Sequence, residues 1–397
     1  MNRAPLVVGW CLVGLLACRP PPSAPASSDA ATSDAATSDA ATDAAADAAT
    51  SDPATDAAPA PVAETSGAVA PAATELPSAA ALIAAFRGTN ARGFVGVTAI
   101  AGGGASRREI AALGGGLPAQ GIPIASFTKL WTAVAALRLV AAHRLALTDR
   151  VAELIPSLAR RPWADSTLAE LMSHTSRVPE FDEAGGFFSR RDVNFADPVA
   201  TLEKHLSRTA TEKRGVFKYR NAEYALVGAI LATRAALPFP ELLKREVFDP
   251  AKMRHSGLLV GAVPAEVDAR SLGTTRAQNF FAAGAGYSTP EDLLAFFEAL
   301  SGDPLLDEPS KALLFDGQKS RGYGALGCWA YPFGSADAGP TLLVERQGAL
   351  GSLTLFAAFL PERRRAVVAW SSTSVRFDHP YLGHGVGNAL ASLLDAR

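Results

Sequence analysis

The chain has 397 residues, 48% hydrophobic and 19% charged, with a formal net charge of −2. That length and apolar content supply a core for one large domain or two modest ones. Three cysteines exclude a disulfide-stapled scaffold, and the near-neutral total carries no electrostatic footprint of a nucleic-acid binder.

Arg3 precedes an apolar run from Ala4 to Ala17, which Cys18 follows. A short positive region, an apolar stretch and a small residue before the cut read as a secretory signal over 1–17. The run is short of the roughly twenty residues a spanning helix needs. Leu15-Leu16-Ala17-Cys18 resembles the lipobox of bacterial lipoproteins, in which the cysteine is lipidated and becomes the mature N-terminus. The alternative is an ordinary signal peptide with a chance cysteine. Cys11 leaves with the signal, so Cys328 is the sole thiol expected in the folded part.

Residues 18–75 form a low-complexity tract, with Ser28-Asp29-Ala30-Ala31-Thr32 repeated at Ser33 and Ser38. Ser, Thr and Asp compete for backbone hydrogen bonds, prolines break any register, and no large apolar side chain recurs to be buried. The tract reads as a disordered spacer. It is also acidic: residues 1–75 hold nine acids against Arg3 and Arg19, and removing these from 39 and 37 leaves 30 against 35, a net of +5. An excess that small reads as a solvated face.

From Leu76 onward the pattern predicts a globular domain, 76–397. Ala79–Phe86 has helical spacing. Strands are expected at Phe94–Ile100 and near Ile110–Leu113, around a turn at Gly102–Gly104. A helix runs from Ser126 to about His143 with an apolar stripe of Leu130, Val134, Leu137 and Val140. Leu145 to about Arg270 reads as mostly helical, giving a helical subdomain over about 144–275. Thr289-Pro290-Glu291 starts a helix through Leu300, with Thr289 as N-cap. The period then becomes two, predicting strands at Cys328–Tyr331, Thr341–Glu345, Leu353–Leu360 and Ala366–Ser371, with a turn at Pro361-Glu362-Arg363. A last helix lies near Gly387–Leu394. Strands at both ends around a block of helices predict an α+β fold whose antiparallel sheet joins the first and last thirds of the chain.

The chemistry-bearing motifs are few. There is no G-x-S-x-G, H-E-x-x-H, C-x-x-C or P-loop. Gly322, Gly324 and Gly327 spell G-x-G-x-x-G but precede a strand, so they read as a closely packed turn. Ser126-Phe127-Thr128-Lys129 puts a hydroxyl and an amine on one helix face. Serine needs a partner to take its proton, and a lysine whose ammonium is disfavoured can do so. About half an S-x-x-K arises by chance at this composition, so alone it reads as a helix cap with a surface lysine. Tyr219-Arg220-Asn221 is scarcer, about a tenth of an occurrence by chance. A phenol beside a cationic lysine can shuttle protons, whereas the bland reading is a cap for the helix Tyr224–Leu231.

The order and spacing of these segments resemble the serine β-lactamase-like superfamily, in its class C β-lactamase, DD-peptidase and esterase branch. Ile124–Lys129 through Leu147-Thr148-Asp149-Arg150-Val151 and Ile155-Pro156 is similar to its nucleophile helix and the segment that follows. Leu171–Pro179 is similar to its L-x-x-H-T-S-G-L-P stretch, and Phe217–Asn221, Ala282–Gly284, Tyr323-Gly324 and Phe359–Pro361 follow in order. The resemblance implies Ser126 as acylated nucleophile, Lys129 as activating lysine, Tyr219 as general base and Asn221 as contact to substrate and lysine. It implies that His174 is structural, buried and hydrogen-bonded.

The family's third motif, Lys-Thr-Gly or His-x-Gly, corresponds to Arg346-Gln347-Gly348, followed by Ala349. Gly348 lets backbone approach the acyl group, and the N–H of Ala349 is the expected second oxyanion donor beside that of Ser126. Arg346 keeps the cation but cannot relay protons; it either holds a substrate carboxylate or supports Tyr219. Gln347 replaces the hydroxyl residue that helps anchor a carboxylate.

The resemblance thus implies a cofactor-free serine hydrolase at the bacterial cell envelope, periplasmic or surface-facing, membrane-anchored through lipid on Cys18. The expected substrate is a small ester, amide or peptide, with a peptidoglycan stem peptide or a β-lactam as candidates. A carboxylesterase of the same fold and a catalytically silent binding lipoprotein are the alternatives. No metal site and no nucleic-acid partner are expected.

Overall fold

The uninterrupted apolar runs near the C-terminus meet in one antiparallel sheet. A computed structural model describes residues 75–396, apart from 102–104, 119, 183–184, 211–212 and 335–338. The expected signal segment, Cys18, nearly all of the spacer and the Gly102–Gly104 turn lie outside the described residues.

The elements in chain order are α1 (Ala79–Ala84), β1 (Gly93–Ile100), β2 (Ser106–Leu113), β3 (Ile122–Pro123) and α2 (Thr128–Ala141). Then come α3 (Val151–Leu154), α4 (Leu168–Met172), α5 (Pro198–His205), α6 (Asn221–Ala235) and α7 (Phe239–Leu243). After β4 (Gly257–Leu258) and β5 (Gly286–Ser288) follow α8 (Pro290–Ser301) and α9 (Glu308–Leu314). The chain closes with β6 (Trp329–Phe333), β7 (Thr341–Leu350), β8 (Leu353–Leu360), β9 (Arg365–Ser371) and α10 (Gly385–Asp395).

Six strands pair antiparallel in the order β2-β1-β9-β8-β7-β6, so first and last thirds of the chain do share a sheet. The fold is α+β. Both faces of the sheet are covered, which is why β8 and β9 read as continuous apolar runs. Phe359, Val368 and Trp370 face one core with α2, α6 and α8; Phe356, Leu360 and Val367 face a second with α1 and α10. Burying a side chain such as Phe359 contributes about 2 kcal/mol.

The expected stripe on α2 is an understatement. Thr128 to Leu137 is buried all round, and the helix first meets solvent at Arg138, which pairs with Glu246 at 2.9 Å. α8 forms as its sequence dictates: the Thr289 side chain accepts from the Asp292 N–H, and Pro290 occupies the first turn. The Leu145–Arg270 block is less helical than its pattern suggests. Among the described residues α3 to α7, with a π-helical turn at Lys244–Phe248 continuing α7, are joined by irregular stretches, and β4 adds to a small sheet ordered β3-β5-β4.

Candidate active site

The small sheet holds the turn that precedes α2. The Ile124 N–H donates to Gly286 O at 2.9 Å, the Gly286 N–H to Thr128 Oγ1 at 2.9 Å, and Trp370 Nε1 to Pro123 O at 3.0 Å. Ala125–Phe127 form one 3-10 turn, entered through Ala125 at φ 47°. A non-glycine residue there costs about 1 kcal/mol or more, held by the packing around it. From Gly121 to Leu137 every residue is buried except Ser126. One hydroxyl is therefore offered to solvent from an otherwise closed segment.

Lys129, one turn on, is fully buried. Its Nζ lies 3.2 Å from Ser126 Oγ, 2.9 Å from Asn221 Oδ1 and 2.9 Å from Ala283 O, three acceptors for three ammonium protons. It also sits 4.6 Å from the centroid of the Tyr219 ring. Asn221 begins α6 rather than capping it. The cap comes from Glu180, whose carboxylate accepts from the N–H groups of Asn221 at 2.5 Å and Ala222 at 3.0 Å. Glu180 escaped the sequence reading, since an acid after Pro179 carries no signal of where α6 will lie.

Strand β7 passes behind the nucleophile turn. It runs five residues beyond the expected end at Glu345 and so includes Arg346, Gly348 and Ala349. β6 stops with Trp329 opposite Glu345, leaving Arg346–Leu350 paired to β8 alone. A Cβ on Gly348 would stand 2.5 Å from Ile124 O, so a side chain there would push β7 off the turn. Gly351-Ser352 forms a two-residue loop with Gly351 at φ 62°, which makes Leu350 and Leu353 the closing hydrogen-bonded pair. Antiparallel alternation then turns the Ala349 N–H away from β8, toward the free edge.

Arg346 is buried and reaches both halves of the site. Its Nε donates to Ser126 O at 2.8 Å and its Nη2 to Tyr219 Oη at 2.7 Å, while the guanidinium lies 5.2 Å from the Trp329 ring. Of the two roles open to it, the contacts made here are those of support for Tyr219. Gln347 turns back and donates to Glu345 Oε1 at 2.5 Å; the same buried carboxylate accepts from Tyr331 Oη and lies 2.9 Å from His379 Nδ1. Ser126, Lys129, Tyr219, Asn221 and Arg346 are thus one contact network, with Gly348 packed on the turn and Ala349 next along the strand.

The glycines at 322, 324 and 327 form the turn into β6, and a Cβ on Gly327 would meet Lys129 O at 2.8 Å. Packing against α2 explains Gly327, packing against Phe217 explains Gly324, and Gly322 takes a left-handed φ of 59°. Cys328 is buried, and desolvation pushes its thiol up to about 12, which leaves it inert. Among the described residues no cluster of His, Cys, Asp and Glu is arranged to hold a metal ion.

Residues 84–390 match the sequence profile of the family described as Beta-lactamase. The chain belongs to the beta-lactamase family. Among curated relatives, a D-alanyl-D-alanine-carboxypeptidase/endopeptidase, AmpH of Escherichia coli (strain K12), is 28% identical over 197 residues, 46% of this chain and 49% of that protein. The chain spans about half or less of the length of the curated relatives it matches. Two solved structures share the family's fold over most of the chain. A penicillin binding protein from Bacillus halodurans has a TM-score of 0.61 at 21% identity, covering 79% of this chain and 98% of its own. A D-amino acid amidase from Ochrobactrum anthropi SV3 has a TM-score of 0.62 at 20% identity, covering 80% and 100%.

Proposed function

We propose that the chain is a serine hydrolase working through a covalent acyl-enzyme on Ser126. The observation that carries this reading is the contact of Ser126 Oγ with a fully buried lysine, on the one residue of its segment that solvent reaches. Ser126 attacks a carbonyl as its proton passes to Tyr219, which takes it as the phenolate that the Lys129 ammonium and Arg346 stabilise. The oxyanion forms against the N–H groups of Ser126 and Ala349. Tyr219, with Lys129 and Arg346 beside it, carries the proton to the leaving group, and water then releases the acyl group. Asn221 holds Lys129 and meets the substrate. None of these steps calls for a cofactor.

The substrate class is a small ester, amide or peptide, and a β-lactam or a peptidoglycan stem peptide fits the names carried by relatives. Arg346 and Gln347 favour a second reading, a carboxylesterase. Both spend their hydrogen bonds inside the protein, on Ser126 O, Tyr219 and Glu345, instead of presenting a cation and a hydroxyl to a substrate carboxylate. The proposed setting is the bacterial cell envelope, with export directed by 1–17 and lipid on Cys18 anchoring the domain through its spacer.

Turnover of an activated ester, a D-alanyl peptide and a penicillin by the wild type and Ser126→Ala tests the proposal. Ser126→Ala is expected to lose roughly 10⁵-fold or more in kcat/KM on any substrate used. A wild type that binds such compounds without turnover, and keeps its affinity in Ser126→Ala, is a binding lipoprotein instead.

A further inference from the structure

We propose that His174 is a positioning residue that sets the Tyr219 ring by holding the peptide groups on both sides of it, and that Glu223 locks His174 as a neutral acid. The inference rests on the reading of Tyr219 as proton carrier. His174 O accepts from the Lys218 N–H at 2.8 Å, and His174 Nδ1 accepts from the Arg220 N–H at 3.4 Å. The imidazole also packs on the Tyr219 ring, with centroids 4.5 Å apart, and on Tyr224 at 5.2 Å. Residues 218, 219 and 220 are therefore each gripped by one side chain and its own carbonyl. Its backbone is bent for the purpose, with φ at 57° just after α4.

The other side of His174 is tied to α6. Glu223 Oε2 lies 2.6 Å from His174 Nδ1, and Ser176 Oγ donates to Glu223 Oε1 at 2.5 Å. Two groups thus converge on Nδ1. One is a backbone N–H, which can only donate, so the two share Nδ1 only where that nitrogen is unprotonated and its single in-plane lone pair is divided between them, the short contact to Glu223 taking the larger part. In that arrangement Glu223 brings the proton and the imidazole carries its own on Nε2, a buried atom with no hydrogen-bond partner among the described residues. Burial acts the same way. His174 is 4% exposed and Glu223 not at all. Desolvation holds the Glu223 carboxyl well above the usual range, against the opposing pull of Ser176 and Arg220. It holds the His174 imidazolium well below its usual value, helped by the charges of Lys129, Arg346 and Arg220. A neutral clamp also suits its neighbours, since an imidazolium would add a further cation beside Lys129 and Arg346.

Ester kinetics, Ser126 labelling by a fluorophosphonate and melting temperature of the full chain test the clamp. A glutamine at 223 reproduces a neutral acid: its oxygen accepts from Ser176 and its N–H faces Nδ1. Glu223→Gln is expected to keep kcat at least about tenfold above Glu223→Leu at similar KM. His174→Phe keeps a ring but no acceptor, and is expected to lower kcat and the labelling rate about a hundredfold, with KM moving less than about threefold. Equal loss in Glu223→Gln and Glu223→Leu, or a His174→Phe enzyme with wild-type kcat, overturns the proposal. The imidazole nitrogen resonances of the wild type give an answer independent of turnover or variant folding. An unprotonated Nδ1 is expected, and a protonated one refutes the clamp. A wild type that neither hydrolyses esters nor labels at Ser126 would instead refute the hydrolase reading, leaving the tautomer to be read from the same spectra.

Discussion

Two polar clusters touch the Tyr219 ring, and they differ in charge and in access. On Lys129 a full cation is buried among three acceptors, one of them the solvent-reached Ser126 hydroxyl. Around His174 and Glu223 everything is closed, and burial drives both titratable groups toward their neutral forms. The difference teaches where this fold tolerates buried charge. A charge costs several kcal/mol to desolvate unless paired. Lys129 keeps its charge against three acceptors, whereas beside Glu223 the buried charge is the Arg220 guanidinium, 3.8 Å from Oε1, and burial still outweighs its pull.

The largest expected effect comes from removing the charged cluster's centre. Lys129→Met should lower kcat roughly 10³-fold while the melting temperature stays or rises, because a buried ammonium gives way to an apolar chain of similar length. Near wild-type turnover would break the contrast between the two clusters. Next is Arg346, which ties Ser126 O to Tyr219 Oη. Arg346→Ala should cost about a hundredfold in kcat, and Arg346→Lys, which keeps a positive charge there, should stay within about tenfold of wild type. Equal activity in all three would remove Arg346 from the site.

The smallest effect is on stability and sharpens the neutral side. Glu223 holds its proton in the fold at pH values where the unfolded chain has released it. Between the ordinary glutamate value and the raised folded one, unfolding releases a proton, so stability falls as pH rises. Glu223→Gln removes that slope, and denaturant unfolding followed from about pH 4, near an ordinary glutamate, up to about pH 8 should show the variant gaining on wild type as pH rises. Parallel curves would mean that Glu223 is ionised in the fold.

Much of the frame was legible because its signals are local. Leu353–Leu360 and the strand ending at Ser371 show as apolar runs around Pro361, and Thr289-Pro290 announces its helix one residue ahead. The small sheet was not, since strands of two or three residues are too short to display a period. α9 was missed, and β2 begins four residues before its expected start because Ser106–Arg108 face solvent. β7 was cut short at Glu345 because Arg346 and Gln347 break the apolar pattern while lying buried. In the site, Ser126, Lys129, Tyr219 and Asn221 stood out as spaced motifs. The acids behind the site did not: Glu180 reaches Asn221, 41 positions away, and Glu223 reaches His174, 49 positions away, and only the folded chain brings those pairs together.

Everything proposed for the site turns on Ser126 being an activated nucleophile. Its most direct test is intact-mass analysis of the full chain after mixing with a penicillin and, separately, with a fluorophosphonate, followed by peptide mapping. A covalent adduct on the peptide bearing Ser126 is expected with at least the fluorophosphonate, and none in Ser126→Ala. A penicilloyl adduct in addition would favour the penicillin-recognising reading over the esterase. An unmodified chain with both reagents, or an adduct elsewhere that survives in Ser126→Ala, would contradict it.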